Sequence, residues 1–273
     1  MSWVDFARDG AQLRGRDEGA GLPVIFQHGL GGNEAQAAEV FPRGFRRLTL
    51  ECRGHGRSSL GDPDVLSIAL FARDVLAFAD RQGVARFVAG GISMGAAIAL
   101  HLAVRHPERV QGLILARPAW LWDSAPENMR PYAEVADHLR NPDIAAGRAA
   151  FERSPTARRL AKEAPDNLAS RLGFFEVEDR ASLAPLLKAI ARGGPDVTEA
   201  EVRRISVPTL VLGTGLDLVH PLDFARRLAE RISGAQFVEM TPKASDRPRY
   251  AQEFRAALAQ FLASLARREG NAA

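Results

Sequence analysis

The stretch Arg86-Phe87-Val88-Ala89-Gly90-Gly91-Ile92-Ser93-Met94-Gly95-Ala96-Ala97-Ile98-Ala99-Leu100-His101-Leu102-Ala103-Val104-Arg105-His106-Pro107 reads as strand, sharp turn and helix. Phe87 to Gly90 is a short apolar run of the kind that suits a strand buried on both faces, and Met94 to Arg105 is rich in Ala and Leu and closed by His106-Pro107. Ser93 stands in the turn between them, flanked by Gly91 and Gly95. Glycine suits both places because the backbone beside a strained nucleophile must approach its neighbours with no Cβ in the way. Such a turn lifts a hydroxyl to the top of a sheet and aims the first N–H groups of a helix at it. Negative charge developing on a substrate oxygen there meets a positive helix end.

This Gly-x-Ser-x-Gly turn, with a strand before it and a helix after it, resembles the nucleophile elbow of the α/β-hydrolase superfamily. The resemblance implies one α/β domain with a mostly parallel sheet of roughly eight strands flanked by helices and interrupted by an inserted helical cap. On this reading residues 1–119 form the first part of the α/β core, 120–204 the cap and 205–273 the rest of the core.

Upstream, residues 3 to 17 alternate loosely around Asp9-Gly10, a dipeptide that favours a tight hairpin. Pro23 to Gln27 reads as a buried strand ending in His28-Gly29-Leu30-Gly31-Gly32-Asn33, with Asn33 placed to cap a helix from Glu34. The family's similar His-Gly-rich turn supplies one N–H of an oxyanion hole. The resemblance therefore implies Leu30 N–H and Met94 N–H as donors, with His28 beside the substrate or anchoring the loop. Arg46 to Glu51 is the next strand, and Cys52-Arg53-Gly54-His55-Gly56 after it looks like an architectural loop of the same superfamily. Ser67 to Gly83 carries a helical apolar stripe.

Downstream, Val110 to Leu115 is a strand that runs into Arg117-Pro118-Ala119-Trp120-Leu121-Trp122. Ligands gather at the carboxyl ends of strands in open α/β sheets, so Arg117, Trp120 and Trp122 are candidates for the substrate pocket, Arg117 either clamping an anionic substrate group or closing an internal ion pair. Ser124 to Arg204 turns helical and Pro-punctuated, and Phe151, Leu172, Phe174, Phe175 and Leu183 either face the substrate or form the core of that segment. Pro208 to Gly213 restores the sheet, and Asp217 after it matches the place of the family's triad acid. Ala235 to Met240 is the last strand, Tyr250 to Leu265 the last helix, and the tail to Ala273 is polar and expected to fray.

The family carries its catalytic histidine in the loop after the last strand, which here reads Thr241-Pro242-Lys243-Ala244-Ser245-Asp246-Arg247-Pro248-Arg249 and holds no histidine. Only His220 follows Asp217, and three residues past the acid is the wrong place for a base that approaches the serine from the next loop. No imidazole is therefore expected within direct hydrogen-bond reach of Ser93 unless the His220 loop turns inward. A serine hydroxyl near pH 7 needs a base. The expectation is therefore an atypical, histidine-less triad in which Asp246, made basic by Asp217 across the site, or else an inward-turned His220, serves Ser93. Three functions follow from these residues. One is a hydrolase of an ester, thioester or carbon–carbon bond beside a carbonyl. Another is a lyase or isomerase that stabilises an enolate in the oxyanion hole and moves a proton at carbon with a carboxylate base, so that Ser93 binds instead of attacking. The last is a ligand-binding member without chemistry.

The remaining chain narrows the partners. At 273 residues and 46% apolar composition there is enough for one large core, and a net charge of +3 with no basic run argues against nucleic acid. Cys52 is the single cysteine, so no internal disulfide is expected, and nothing local makes it a nucleophile. Met1 to Gly10 lacks a basic segment followed by an apolar run, and no stretch approaches the length of about 18 apolar residues that spans a membrane. A cytoplasmic protein with a small-molecule substrate, no cofactor, no metal, no membrane partner and room for a homo-oligomer is expected.

Overall fold

The computed structural model describes residues 2–270. Its elements run β1 (Ser2–Arg8), β2 (Ala11–Glu18), β3 (Pro23–Gln27), α1 (Glu34–Val40), β4 (Arg46–Glu51), α2 (Ile68–Arg81), β5 (Phe87–Ile92), α3 (Met94–Arg105) and β6 (Val110–Ala116). A helical stretch follows: α4 (Arg130–Leu139), α5 (Ile144–Glu152), α6 (Pro155–Glu163), α7 (Pro165–Gly173), α8 (Arg180–Arg192) and α9 (Glu199–Val202). The chain closes with β7 (Thr209–Thr214), α10 (Leu222–Arg231), β8 (Gln236–Met240) and α11 (Arg247–Gly270).

Among the described residues the strands form one eight-stranded sheet in the order β1-β2-β4-β3-β5-β6-β7-β8. It is mostly parallel. β2 alone runs against both neighbours, and every pairing from β4–β3 to β7–β8 is parallel. The central strands are apolar throughout because both faces are covered, and their side chains alternate between two buried clusters with the two-residue period of a strand. Phe87, Ala89, Leu113, Leu115 and Val211 enter the cluster that α2, α3 and α10 share. Val88, Ile114, Leu210 and Leu212 enter the opposite one, with Phe254, Leu258 and Phe261 of α11.

Local chemistry sets the boundaries. Asp9 and Gly10 both take positive φ, +44° and +73°, as the tight turn between β1 and β2 requires. Asn33 Oδ1 accepts from Ala35 N–H at the start of α1, and Ser67 Oγ accepts from Leu70 N–H at the start of α2. Arg53 explains the loop after β4: its buried guanidinium donates to both carboxylate oxygens of Asp74 on α2 and to the carbonyls of Arg8 and Asp9, tying the first hairpin to the helix layer. α11 is longer than its apolar stripe implied, beginning at Arg247 with Pro248 in its first turn, where the missing N–H costs nothing. It also takes in much of the stretch expected to fray, while residues 271–273 of that tail lie outside the described residues. No helix among the described residues is long and apolar enough to cross a membrane.

Candidate active site

β5 ends at Ile92 and α3 begins at Met94, so Ser93 alone makes the turn, with φ +56° and ψ −108°. That strained conformation is held by close backbone packing on both sides. A Cβ on Gly95 would stand 2.3 Å from the Gln27 carbonyl oxygen, and one on Gly91 2.6 Å from the same atom. Ser93 N–H is tied to the Ala116 carbonyl across the sheet, leaving Oγ in a buried site with the residue 3% exposed.

His220 Nε2 lies 2.8 Å from Ser93 Oγ, and His220 Nδ1 lies 3.0 and 2.9 Å from the two carboxylate oxygens of Asp217. Asp217 and His220 come from one short loop between β7 and α10. The expectation that an imidazole three residues past the acid cannot reach the serine is corrected by the way this loop folds. Asp217 Oδ1 accepts from the N–H groups of Val219 and His220, curling the chain tightly over its own carboxylate. Asn167 on α7 accepts from Leu218 and Val219 N–H, and Asn128 donates to the Val219 and Ala119 carbonyls. These contacts turn the imidazole toward the sheet.

Arg117 closes an internal ion pair. Its Nε and Nη2 donate to Asp217 Oδ2 at 3.1 and 2.5 Å, and Nη2 stands 3.1 Å from His220 Nδ1. Burial alone would raise the Asp217 carboxyl, but the charges of His220 and Arg117 beside it hold it well below the usual carboxylate range. Burial pushes His220 below the ordinary histidine value; Asp217 opposes that shift and Arg117 adds to it. The imidazole is therefore neutral near pH 7, with Nδ1–H donated to Asp217 and Nε2 free to accept from the serine hydroxyl.

The turn after β3 lies beside the serine. Gly29 N–H donates to Gln36 Oε1, Gly31 N–H to His55 Nε2 and Gly32 N–H to the Gly29 carbonyl. Leu30 N–H and Met94 N–H make no hydrogen bond to protein among the described residues. His28 is 0% exposed and anchors this turn: Nδ1 faces the Gly29 carbonyl at 2.9 Å and Nε2 accepts from Cys52 N–H. Burial lowers it to about 4 and lowers His55, whose Nδ1 faces the Arg53 carbonyl, to about 3, so both stay neutral as their hydrogen bonds require. The loop after β4 thus has a specific architectural task, since its His55 holds the Gly31 N–H next to Leu30.

A model described as alpha/beta hydrolase fold matches residues 23–245, more than half of the chain. The chain belongs to the α/β-hydrolase fold family. It is 30% identical over 237 residues to "Putative carbamate hydrolase RutD" of Rhizobium rhizogenes, a match covering 82% of this chain and 86% of the relative. It is also 30% identical over 242 residues to "AB hydrolase superfamily protein YisY" of Bacillus subtilis, covering 81% and 84%. Among solved structures, the enol-lactonase from Burkholderia xenovorans LB400 superposes with a TM-score of 0.68 at 26% identity, covering 95% of this chain and all of that one.

In this α/β-hydrolase a cavity of about 310 Å³ opens over Ser93 and His220, between the turn after β3 and the helical stretch. Leu30, Arg117, Arg171, Phe174 and Lys243 are on its wall. Four residues expected at the site are engaged elsewhere. Asp246 is exposed and accepts from Arg249 N–H at the start of α11, so it stands at a helix end instead of opposite Asp217. Trp120 is buried with Nε1 donating to the Gly193 carbonyl, Trp122 packs under Arg227, and His28 is enclosed below the turn. Of the aromatic and aliphatic candidates in the helical stretch, Phe174 faces the cavity, and Phe151 is wholly buried against Phe175. Asn128, Asn167 and Arg171 were absent from the reading of the sequence, because nothing local marks a residue whose partner lies far along the chain. Cys52 is buried, and burial raises its thiol above the ordinary value, in keeping with an inert role. Among the described residues no cluster of three or more His, Cys, Asp or Glu is arranged to hold a metal ion.

Proposed function

We propose that the protein is a serine hydrolase of small carbonyl substrates such as esters or thioesters, with Ser93 as nucleophile, His220 as general base and acid, and Asp217 orienting the imidazole. The observation that carries this reading is the 2.8 Å approach of His220 Nε2 to Ser93 Oγ while Nδ1 faces Asp217. His220 takes the hydroxyl proton as Oγ attacks the carbonyl carbon. The oxyanion is received by Leu30 N–H and Met94 N–H, the second reinforced by the N-terminal end of α3. His220 then returns the proton to the leaving group, and a water activated by the same imidazole releases the acid. The helical stretch between β6 and β7 serves as a cap that excludes bulk water from this exchange. Two similar proteins, a putative carbamate hydrolase and an enol-lactonase, are named for acyl chemistry, which supports this reading.

A lyase or isomerase would have used Asp246 or Asp217 as the base. Asp246 is exposed at the start of α11, and Asp217 is engaged behind His220 by Arg117 and two N–H groups, so the hydrolase is preferred. Intact-mass analysis after incubation with a serine-directed fluorophosphonate tests this reading. One adduct is expected on the native protein, none on Ser93→Ala, and adduct formation slowed by about two or more orders of magnitude in His220→Ala. A His220→Ala protein labelled at the native rate would remove the imidazole from the mechanism.

A further inference from the structure

The wall of the Ser93 cavity carries three basic side chains, Arg117, Arg171 and Lys243, and one acidic side chain, Asp166. Arg117 is already neutralised by Asp217. The other two are not matched in this way. Arg171, on α7, is only 4% exposed, and its guanidinium lies against the Tyr132 ring, 3.6 Å from the centroid, with Phe174 at 5.3 Å. Nη2 donates to Tyr132 Oη, whereas Nε and Nη1 have no partner among the described residues. A buried guanidinium with no carboxylate partner is costly, and an anion in the adjoining cavity offsets that cost through its charge.

Lys243 stands half-buried on the same wall, in the loop between β8 and α11. Burial and the charges of Arg117 and Arg247 press its ammonium below the ordinary lysine value. The acidic groups that act on it are Asp166 and Glu39, and Glu39 is paired with Arg247. One carboxylate therefore faces two cations in a cavity whose serine and histidine are uncharged.

We propose that this cavity selects acyl substrates that carry a carboxylate, with Lys243 and Arg171 as the anion-binding pair. The inference rests on the hydrolase reading for the word acyl, and on the cavity wall alone for the word carboxylate. Arg171 supplies a fixed charge, held by stacking on Tyr132. Lys243 supplies an ammonium on a flexible stem that follows the anion into place. The reacting carbonyl then sits at Ser93 while the carboxylate reaches the cations, which suits a short dicarboxylic half-ester better than a neutral ester of the same size.

The test uses monomethyl glutarate and dimethyl glutarate, which differ by one charge at nearly constant size. Calorimetry on Ser93→Ala is expected to show the monoester bound at least about tenfold more tightly, and Lys243→Met or Arg171→Met added to that variant is expected to abolish the preference. Lys243→Arg is expected to retain it. Turnover of both compounds by the native enzyme separates the two proposals. Preferential binding of the monoester without hydrolysis of either compound supports the anion site and counts against the hydrolase. Hydrolysis without preference for the monoester overturns the anion site and leaves the hydrolase standing. Arg171 is buried and its variant can lose structure, so Lys243→Met decides alone: a preference that it leaves unmoved, or no binding of either compound, overturns the proposal.

Discussion

Arg117→Met removes a guanidinium and keeps most of its length and apolar stem, which isolates the charge that stands beside Asp217. The native side chain places Nε and Nη2 at 3.1 and 2.5 Å from Asp217 Oδ2, and the two side chains are 13% and 4% exposed. Breaking a buried pair by deleting one partner costs about 3–5 kcal/mol. Asp217 still keeps His220 and the N–H groups of Val219 and His220, so a loss near the lower end, about 3 kcal/mol, is expected in urea unfolding.

The kinetic consequence has a definite sign. Burial and the Arg117 charge both lower the His220 pKa, and Asp217 raises it. Taking away the cation removes one lowering influence and leaves the carboxylate unshared, and both changes raise the imidazole pKa. The base form of His220 then disappears at a higher pH, so the acid limb of fluorophosphonate labelling, followed by intact mass from about pH 4.5 to 8.5, moves toward alkaline pH in Arg117→Met. An acid limb that stays in place or moves toward lower pH would refute the electrostatic account of this pair. Unchanged stability would refute its structural part.

Two further outcomes are expected. His28 and His55 titrate near 6.5 in the unfolded chain but at about 4 and about 3 when folded, so between those values the unfolded chain holds more protons and stability falls as pH drops. Urea unfolding at pH 5 is expected to give roughly 3–4 kcal/mol less than at pH 7 from these two groups, and a flat profile over that interval would contradict their buried, neutral state. Asn167→Ala leaves the Leu218 and Val219 N–H groups without their acceptor and frees the loop that carries His220. It is expected to lower kcat about ten- to a hundredfold with a smaller change in KM, and a change in KM alone would show that the residue acts on substrate instead of on the imidazole.

The elbow was legible because its causes are local. Gly91 and Gly95 flank the serine at the two places where a Cβ would strike the Gln27 carbonyl, and an apolar strand and an Ala-rich helix bracket them. Caps at Asn33 and Ser67 and the turn at Asp9-Gly10 are short-range chemistry of the same kind. Asp246 carried a local signal too, and the resemblance overrode it. An aspartate followed by Arg247 and Pro248 has the form of a helix N-cap with proline just inside, and that is its use here. Arg171 shows the opposite difficulty, since an arginine in a helical stretch reads as solvated until its burial against Tyr132 is seen.

In the sequence His220 stands only as an alternative to Asp246, because position along the chain is a poor proxy for position in space. In the resembled arrangement the acid and the base sit on separate loops, each at the end of its own strand, and the spacing of those strands sets their approach to the serine. Here one loop carries both residues, which is possible only if the chain reverses within three residues. An extended path rises about 3.3 Å per residue and would carry His220 some 10 Å from Asp217. The observed Nδ1 to carboxylate distance of 2.9 Å requires the turn that Asp217 builds from its own downstream N–H groups. Asn167 and Asn128 then hold that turn from 52 and 91 residues away. On the proposed reading His220 serves as the base, so the place after β8 does not have to hold an imidazole, and Lys243 lies on that side of the cavity wall. The proposed base and the proposed cationic wall are therefore compatible: a cation stands on the side where the resembled arrangement has its base, and it leaves the Ser93–His220–Asp217 geometry intact.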